Sequence, residues 1–335
     1  MPEIVILAIE SSCDDTSVAV CINGNVLSNI TANQKVHEQY GGVVPELASR
    51  EHTKNIIPVV DAAIKNAGIT KNEITAVAFT RGPGLMGSLL VGGIFAKSFA
   101  QALDVPLIEV NHMQAHVLAH FIDEPKPSFP FLCLTVSGGH TQIVLVRDYL
   151  DMEVIGTTID DAAGEAFDKT AKILNLPYPG GPLIDKYGQQ GNPFAYKFSE
   201  PNIDKLDFSF SGLKTNILYF IQKEVKSNPD FVHDNLNDIC ASVQHTIISI
   251  LMKKIKKAAD KTGIREIAIA GGVSANSELR KQLKVDGEKF KWNTYIPDFQ
   301  YCTDNAGMIA ITAYYKFLRG EFCSLDIPIL ARMNF

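Results

Sequence analysis

His112 and His116 stand four residues apart in His112-Met113-Gln114-Ala115-His116. On a helix that spacing puts two imidazoles one turn apart on the same face, where they can chelate a single metal ion. His120 extends the face. The run follows an apolar strand directly, so the pair falls near a strand's carboxyl edge, where open α/β sheets bind ligands. Two histidines at this spacing also suit a purely structural role. A carboxylate would complete a site for a hard or borderline metal, and Asp304, after Cys302-Thr303 at the start of a closing helix, is the candidate.

Three loops carry further chemistry. Ser137-Gly138-Gly139-His140-Thr141 lies between two strands. Its glycines let backbone N–H groups turn toward an anion and its hydroxyls add donors, so it reads as a phosphate loop, with a plain glycine hairpin as the alternative. The corresponding loop near the start, Ser11 to Thr16, replaces the glycines with Asp14 and Asp15. Two carboxylates repel bare phosphate, so that loop suits a metal, a water or a second substrate. Gly271-Gly272-Val273-Ser274-Ala275-Asn276 joins a strand to a helix; Asn276 either contacts a base or ribose there or simply caps the helix. Asp160 to Thr170 concentrates acids at a helix start, mostly as complements to its dipole, with Asp168 deeper in the helix. Gly82-Pro83-Gly84-Leu85-Met86-Gly87 matches the dinucleotide pattern literally, but the acid expected at the end of the next strand is missing, since Asp104 precedes that strand. Tight helix packing or a contact surface explains those glycines better.

The elements that must position these residues repeat. Strands at Ile4 to Glu10, Ser17 to Ile22 and Val26 to Ile30 recur, roughly 127 residues on, as Phe131 to Val136, Gln142 to Val146 and Met152 to Thr157. Between the two sets come helix from Pro45 to Gly68, strand from Ile74 to Thr80, helix from Gly87 to Ala102, strand from Leu107 to Val110, and a helix entered at Asn111. After the second set, helices are expected at Ala162 to Leu174, Ile217 to Val225 and Leu236 to Thr262, the first two separated by a Gly/Pro-rich stretch at Pro177 to Pro182. A strand at Glu266 to Ala270, a further helix and a closing helix at Thr303 to Phe317 follow. These alternations predict an α/β protein of two similar lobes with a cleft between them. The expected division is residues 1–125 and 126–335, with a helical insertion over about 160–262 and the closing helix in the second lobe.

Composition bounds the rest. Of 335 residues, 46% are hydrophobic and 20% charged, which excludes disordered and fibrous classes. The longest apolar runs are of strand length, and no signal peptide precedes Ile4, so a cytoplasmic protein without membrane spans is expected. Six scattered cysteines without a Cys-x-x-Cys pair suggest reduced core thiols. A net charge of −6 exerts no general pull on nucleic acid, so RNA must be met by a local patch or through a partner. The basic run of Lys253, Lys254, Lys256, Lys257 and Lys261 reads as the solvated face of a helix.

Taken together, Ile9 to Asp14, Gly41 to Arg50, His112 to His116, Val136 to Gln142, Asp160 to Thr170, Pro179 to Pro182, Phe208 to Thr215, Gly271 to Asn276 and Thr303 to Asn305 closely resemble the tRNA threonylcarbamoyladenosine transferase family, TsaD in bacteria. The resemblance covers essentially the whole chain. It implies the duplicated actin/Hsp70/sugar-kinase (ribonuclease H-like) fold. It also implies transfer of a threonylcarbamoyl group from threonylcarbamoyl-AMP to N6 of the adenosine just 3′ of the anticodon, in tRNAs reading codons that start with A, with release of AMP. Metal ligands would be His112, His116 and Asp304, holding one divalent ion per subunit, iron(II) or alternatively zinc. Substrate contacts would be Thr135, Val136, Ser137, Gly138, Gly139, Asp168, Gly181, Asp185 and Asn276. Asp14 and Asp15 would be the carboxylate pair tied to activity, and the partners the paralogue TsaB and the ATPase TsaE. Two departures stand out: Thr135 replaces a tyrosine ligand of archaeal and eukaryotic relatives, and Asp15 replaces a glutamate common at its position, shortening its reach by a methylene.

Such a reaction needs no covalent intermediate. The donor is already activated, so the enzyme must place a weak exocyclic amine against its carbonyl and stabilise the developing oxyanion. A zinc protease would need a glutamate beside the histidines, and Met113-Gln114 stands there instead. A small-molecule kinase of the same fold is the nearer rival, because phosphate loops serve both.

Overall fold

In the computed structural model, the structure describes residues 3–201 and 203–335. The first sheet is built from β1 (Val5–Glu10), β2 (Thr16–Ile22) and β3 (Asn25–Ala32), each antiparallel to the one before. The chain then runs through α1 (Pro45–Asn66), β4 (Ala76–Gly82), α2 (Met86–Leu103), β5 (Leu107–Asn111) and α3 (His112–Leu118). β4 and β5 add in parallel on the far side of β1, giving the order β3-β2-β1-β4-β5. All six residues of β1 are buried, as a central strand covered on both faces must be.

The second sheet repeats that plan. β6 (Phe131–Val136) pairs antiparallel with β7 (Thr141–Asp148), and β8 (Asp151–Thr157) lies beyond it. Five helices come next: α4 (Ala163–Ile173), α5 (Gly180–Gly188), α6 (Ser211–Ser227), α7 (Phe231–Asp234) and α8 (Leu236–Thr262). Then follow β9 (Glu266–Ala270), α9 (Ser277–Phe290), β10 (Asn293–Tyr295) and α10 (Ala306–Leu318). The order β10-β9-β6-β7-β8 is that of the first sheet, strand for strand. In this duplicated plan α10 is the counterpart of α3, since each follows the last parallel strand of its sheet.

Two readings need correction. The Gly/Pro-rich stretch starting at Pro177 is not merely a separator, because α5 begins inside it: Pro179 is the N-cap, and Asp168 Oδ1 accepts the N–H groups of Gly180 and Gly181 at 3.0 Å each. The division of the chain also differs. One compact unit comprises Met1–Lys126, Asp148–Met152 and Pro297–Phe335, the other Pro127–Arg147 and Glu153–Ile296. The closing helix, expected in the second lobe, therefore belongs to the first. Its buried face, Ala306, Met308, Ile309, Ala310 and Ala313, packs against Ile6, Ala8, Ala19, Cys21 and Ile108, small and β-branched residues of the first sheet that leave room for a close helix.

α2 is long and apolar enough by composition to cross a membrane, though Leu89, Gly92, Gly93, Ala96 and Ala100 are buried within the first unit. Its other side leaves Met86, Leu90 and Ile94 exposed at successive turns. Lys253, Lys256, Lys257 and Lys261 are exposed on α8, as a solvated helix face should be.

Candidate active site

His112 is the first residue of α3, and Asn111 fixes where that helix begins: its side-chain oxygen accepts the N–H groups of Met113 and Gln114 at 2.9 and 3.2 Å. One turn on, the ring of His116 meets that of His112 edge to face. Asp304, just before α10, brings Oδ1 to 3.3 Å from His112 Nε2 and 3.2 Å from His116 Nε2. The ligand atoms of the three residues all lie within 4.8 Å of one another. Atoms about 2.1 Å from a common ion stand roughly 3.0 to 3.4 Å apart, so the two contacts fit shared coordination.

Behind His112 stands Glu10, wholly buried at the end of β1. Glu10 Oε2 lies 3.1 Å from His112 Nδ1, and the carboxylate is held by the Thr80 hydroxyl and the Ser12 N–H, each donating at 2.5 Å. Burial opposes every charge in this cluster, yet mutual attraction prevails for three of its members. His112 is raised well above the usual imidazole range by Asp304 and Glu10. Glu10 and Asp304 are both held below the usual carboxylate range, chiefly by His112. His116, by contrast, is lowered by burial, and its Nδ1 is buried without a hydrogen-bond partner. Two carboxylates against one imidazolium leave a buried negative excess, which a divalent cation would neutralise. The residues therefore fit a metal. With Nδ1–H donating to the Glu10 carboxylate, His112 would present Nε2 to the ion in a fixed tautomer. The Asp304 side chain is 26% exposed, so the group is open on that side, as a catalytic rather than a closed structural site requires.

The Ser11 to Thr16 loop, between β1 and β2, belongs to the same unit. Asp14 and Asp15 are half-buried, and Asp15 Oδ1 accepts a 2.9 Å hydrogen bond from Asn33 Nδ2. Burial first, and then Asp14, push the Asp15 carboxyl up to about 7. The glycine pattern near Gly82 packs against this loop: Leu85 N–H donates to the Ser12 carbonyl at 2.7 Å, and a Cβ on Gly84 would meet that same oxygen at 2.4 Å. Close packing, not a dinucleotide, explains it.

In the second unit, the Ser137 N–H donates to the His140 carbonyl, closing a tight turn. Thr135 and Val136 are buried strand residues, whereas Gly138 and Gly139 are exposed at the tip. Neither glycine has positive φ, and a Cβ on either would meet nothing within 4 Å. The fold itself does not demand glycine there; a ligand lying on the backbone would. Gly271 is the opposite case, with φ +84° and the Val136 carbonyl 2.5 Å from where its Cβ would be.

The remaining expected contacts tie helix starts together. Asp168 caps α5. Asp185 Oδ2 and Oδ1 accept from the N–H and hydroxyl of Ser277, at 3.0 and 2.5 Å. Asn276 caps α9 through Glu278 and Leu279 and donates to Gln244 Oε1 at 2.9 Å. Gly181 is partly exposed on the first turn of α5.

The model of the TsaD family, tRNA N6-adenosine threonylcarbamoyltransferase, matches residues 25–311. A tRNA N6-adenosine threonylcarbamoyltransferase of Christiangramia forsetii is 62% identical over 336 residues, covering 99% of this chain and 99% of its own. The chain belongs to the TsaD family. Its enzymatic class is therefore threonylcarbamoyl transfer to N6 of a tRNA adenosine. Two solved structures share the fold of this TsaD-family chain at 14% identity. HypF of T. kodakarensis has a TM-score of 0.62 over 96% of this chain and 48% of its own, and the (R)-2-hydroxyglutaryl-CoA dehydratase component A of Acidaminococcus fermentans 0.55 over 93% and 98%. The duplicated actin-like α/β fold is thus shown.

Sequence reasoning passed over Glu10, Thr80 and Asn111 as parts of this TsaD-family site. A signal existed for Glu10: a carboxylate ending an otherwise apolar buried strand must find a partner. Asn111 carried one too, since an asparagine at a helix entry is a preferred cap; Thr80 offered none, because its use depends on what packs beside it.

Proposed function

We propose that the chain uses His112, His116 and Asp304 to hold one divalent metal, iron(II) or alternatively zinc, and transfers the threonylcarbamoyl group of threonylcarbamoyl-AMP to the adenosine just 3′ of the anticodon, releasing AMP. The observation that carries this reading is the convergence of two imidazoles on one carboxylate oxygen, with Glu10 behind the first of them. When bound, the metal would orient the donor and polarise it as a Lewis acid.

The chain's own residues supply the rest. The exposed backbone of Gly138 and Gly139 offers N–H groups to the donor phosphate. Asp168, Gly181, Asp185 and Asn276 shape the AMP pocket through the helix starts they join. Ser137, with Thr135 and Val136 in the strand behind it, sets the direction of the glycine turn. Asp15, as the carboxylate, takes the proton from the adenosine amine as the new bond forms and AMP leaves, and burial together with Asp14 lifts its pKa to about 7, so that it holds that proton more firmly than an ordinary aspartate.

The exposed Met86, Leu90 and Ile94 stripe of α2 is the proposed contact for the paralogue TsaB, with the ATPase TsaE joining that assembly in the cytoplasm. Mass spectrometry of tRNA nucleosides after adding purified donor tests the whole reading. Modification should depend on His116, and His116→Ala should lose metal and product together; a variant that kept full metal content and full modification would overturn the site. A kinase would instead move label from the γ-phosphate of ATP to a metabolite.

A further inference from the structure

Cys13 and Thr16 bracket the two carboxylates of the loop between β1 and β2, and one side chain holds both brackets. His52, on α1, is entirely buried. Its Nε2 lies 3.0 Å from the Cys13 carbonyl oxygen and its Nδ1 2.8 Å from the Thr16 hydroxyl. A carbonyl oxygen only accepts, so Nε2 carries the proton and Nδ1 receives the one from Thr16. The neutral ring satisfies both bonds, and burial holds its pKa below the usual imidazole range.

An apolar side chain would fill this volume without bringing polar nitrogens out of water, so the imidazole is there for its bonds. Both go to the same turn, one on each side of Asp14 and Asp15. The segment leading into α1 meets that turn a second time, where Asn33 donates to Asp15. It is itself anchored by a second buried histidine. His37 bonds Gln34 and accepts the Val44 N–H, while Gln34 donates to the Ala48 carbonyl. The stretch from Asn33 to His52, whose middle is the Gly41 to Arg50 motif, is therefore a frame built onto the carboxylate turn.

We infer that His52 is a positioning residue, which sets the Asp14 and Asp15 carboxylates for the transfer step by stapling Cys13 to Thr16. The inference rests on the proposed role of those carboxylates. His52 touches neither of them and acts through the backbone of the turn.

The test is steady-state transfer of labelled threonine from the donor into tRNA by the full chain with its partner proteins, with metal content measured in parallel. Thr16→Val cuts one of the two bonds with almost no change of shape. It should lower kcat about 10- to 100-fold while KM for donor and tRNA, and metal content, stay at wild-type values. His52→Gln carries an N–H and a carbonyl about as far apart as the two ring nitrogens and should recover most of the kcat lost in His52→Leu. A wild-type kcat in Thr16→Val, or a loss that appears in KM or metal content instead, overturns the inference. Asp14→Asn and Asp15→Asn separate the two claims. If either carboxylate variant loses kcat and Thr16→Val does not, the staple is wrong and the carboxylate reading stands. Wild-type kcat in both carboxylate variants overturns that reading and the inference with it.

Discussion

Glu10 Oε2 sits 3.1 Å from His112 Nδ1 and also accepts from the Thr80 hydroxyl, while the Ser12 N–H donates to Oε1. The orientation of one of the two imidazoles proposed to bind the metal is thereby handed to a strand end and a loop. Glu10→Gln keeps the shape and removes the charge. It should weaken metal binding about 10- to 100-fold, read by titrating the apo-protein against a chelator of known affinity. An unchanged affinity would mean that the ring is oriented by packing alone.

Asp15 makes stability depend on pH in an unusual direction. Its folded pKa, about 7, lies above the ordinary aspartate value of 3.8, so between those limits the folded state holds a proton that the unfolded state has released. Stability of the metal-free protein should fall as pH rises from about 4 to 7 by this contribution, on the order of 2 to 3 kcal/mol after allowing for the loop's partial solvent access. Asp15→Asn should flatten that part of the profile in urea denaturation. A profile of unchanged slope would place the raised pKa elsewhere.

The two glycine loops should answer differently to the same substitution. Gly138→Ala meets no neighbour, so its unfolding free energy should stay within about 0.5 kcal/mol of wild type while KM for the donor rises several-fold. Gly271→Ala must bear both a positive φ and the Val136 carbonyl, and should lose at least about 2 kcal/mol. Comparing denaturation midpoints with donor kinetics separates an anion-binding turn from a folding constraint.

Asn111 starts the helix that carries both histidines, and its Nδ2 also donates to the Asn334 carbonyl at 2.8 Å. Asn111→Ala should lower stability by about 1 to 2 kcal/mol and weaken metal binding with it, because the first turn of α3 loses its cap. Metal titration and thermal melts of the same variant should move together. A loss of stability with full metal affinity would show that the first turn of α3 holds without its cap.

Much of this was legible in residue order. The two imidazoles declared themselves by spacing, and α8 matched the expected Leu236 to Thr262 at both ends, because a long apolar stripe stops at Gly263, which turns left-handed. The repeat of strand order showed through the paired loops. α5 did not, because Gly180, Gly181 and Pro182 carry turn chemistry until Asp168, twelve residues upstream of Gly180, accepts the N–H groups of the two glycines. Asn276 was read both as a ligand contact and as a cap; the cap is now visible, and the contact is a separate matter for substrate binding. The placement of α10 was hidden for a different reason: its apolar pattern says that it must be covered, but not by which sheet.

That placement also sets a timetable. Ile6, Ala8, Ala19 and Ile108 are synthesised early, yet the helix that covers them begins only at Ala306. On the ribosome the first sheet must wait with one face open while the second sheet and its helices are made, the kind of long-range closure that slows folding and exposes apolar surface to aggregation. Asp304 arrives with that last helix. The three proposed ligands come together only once synthesis has passed Asp304, so a chain that stops short of it has no such centre to load.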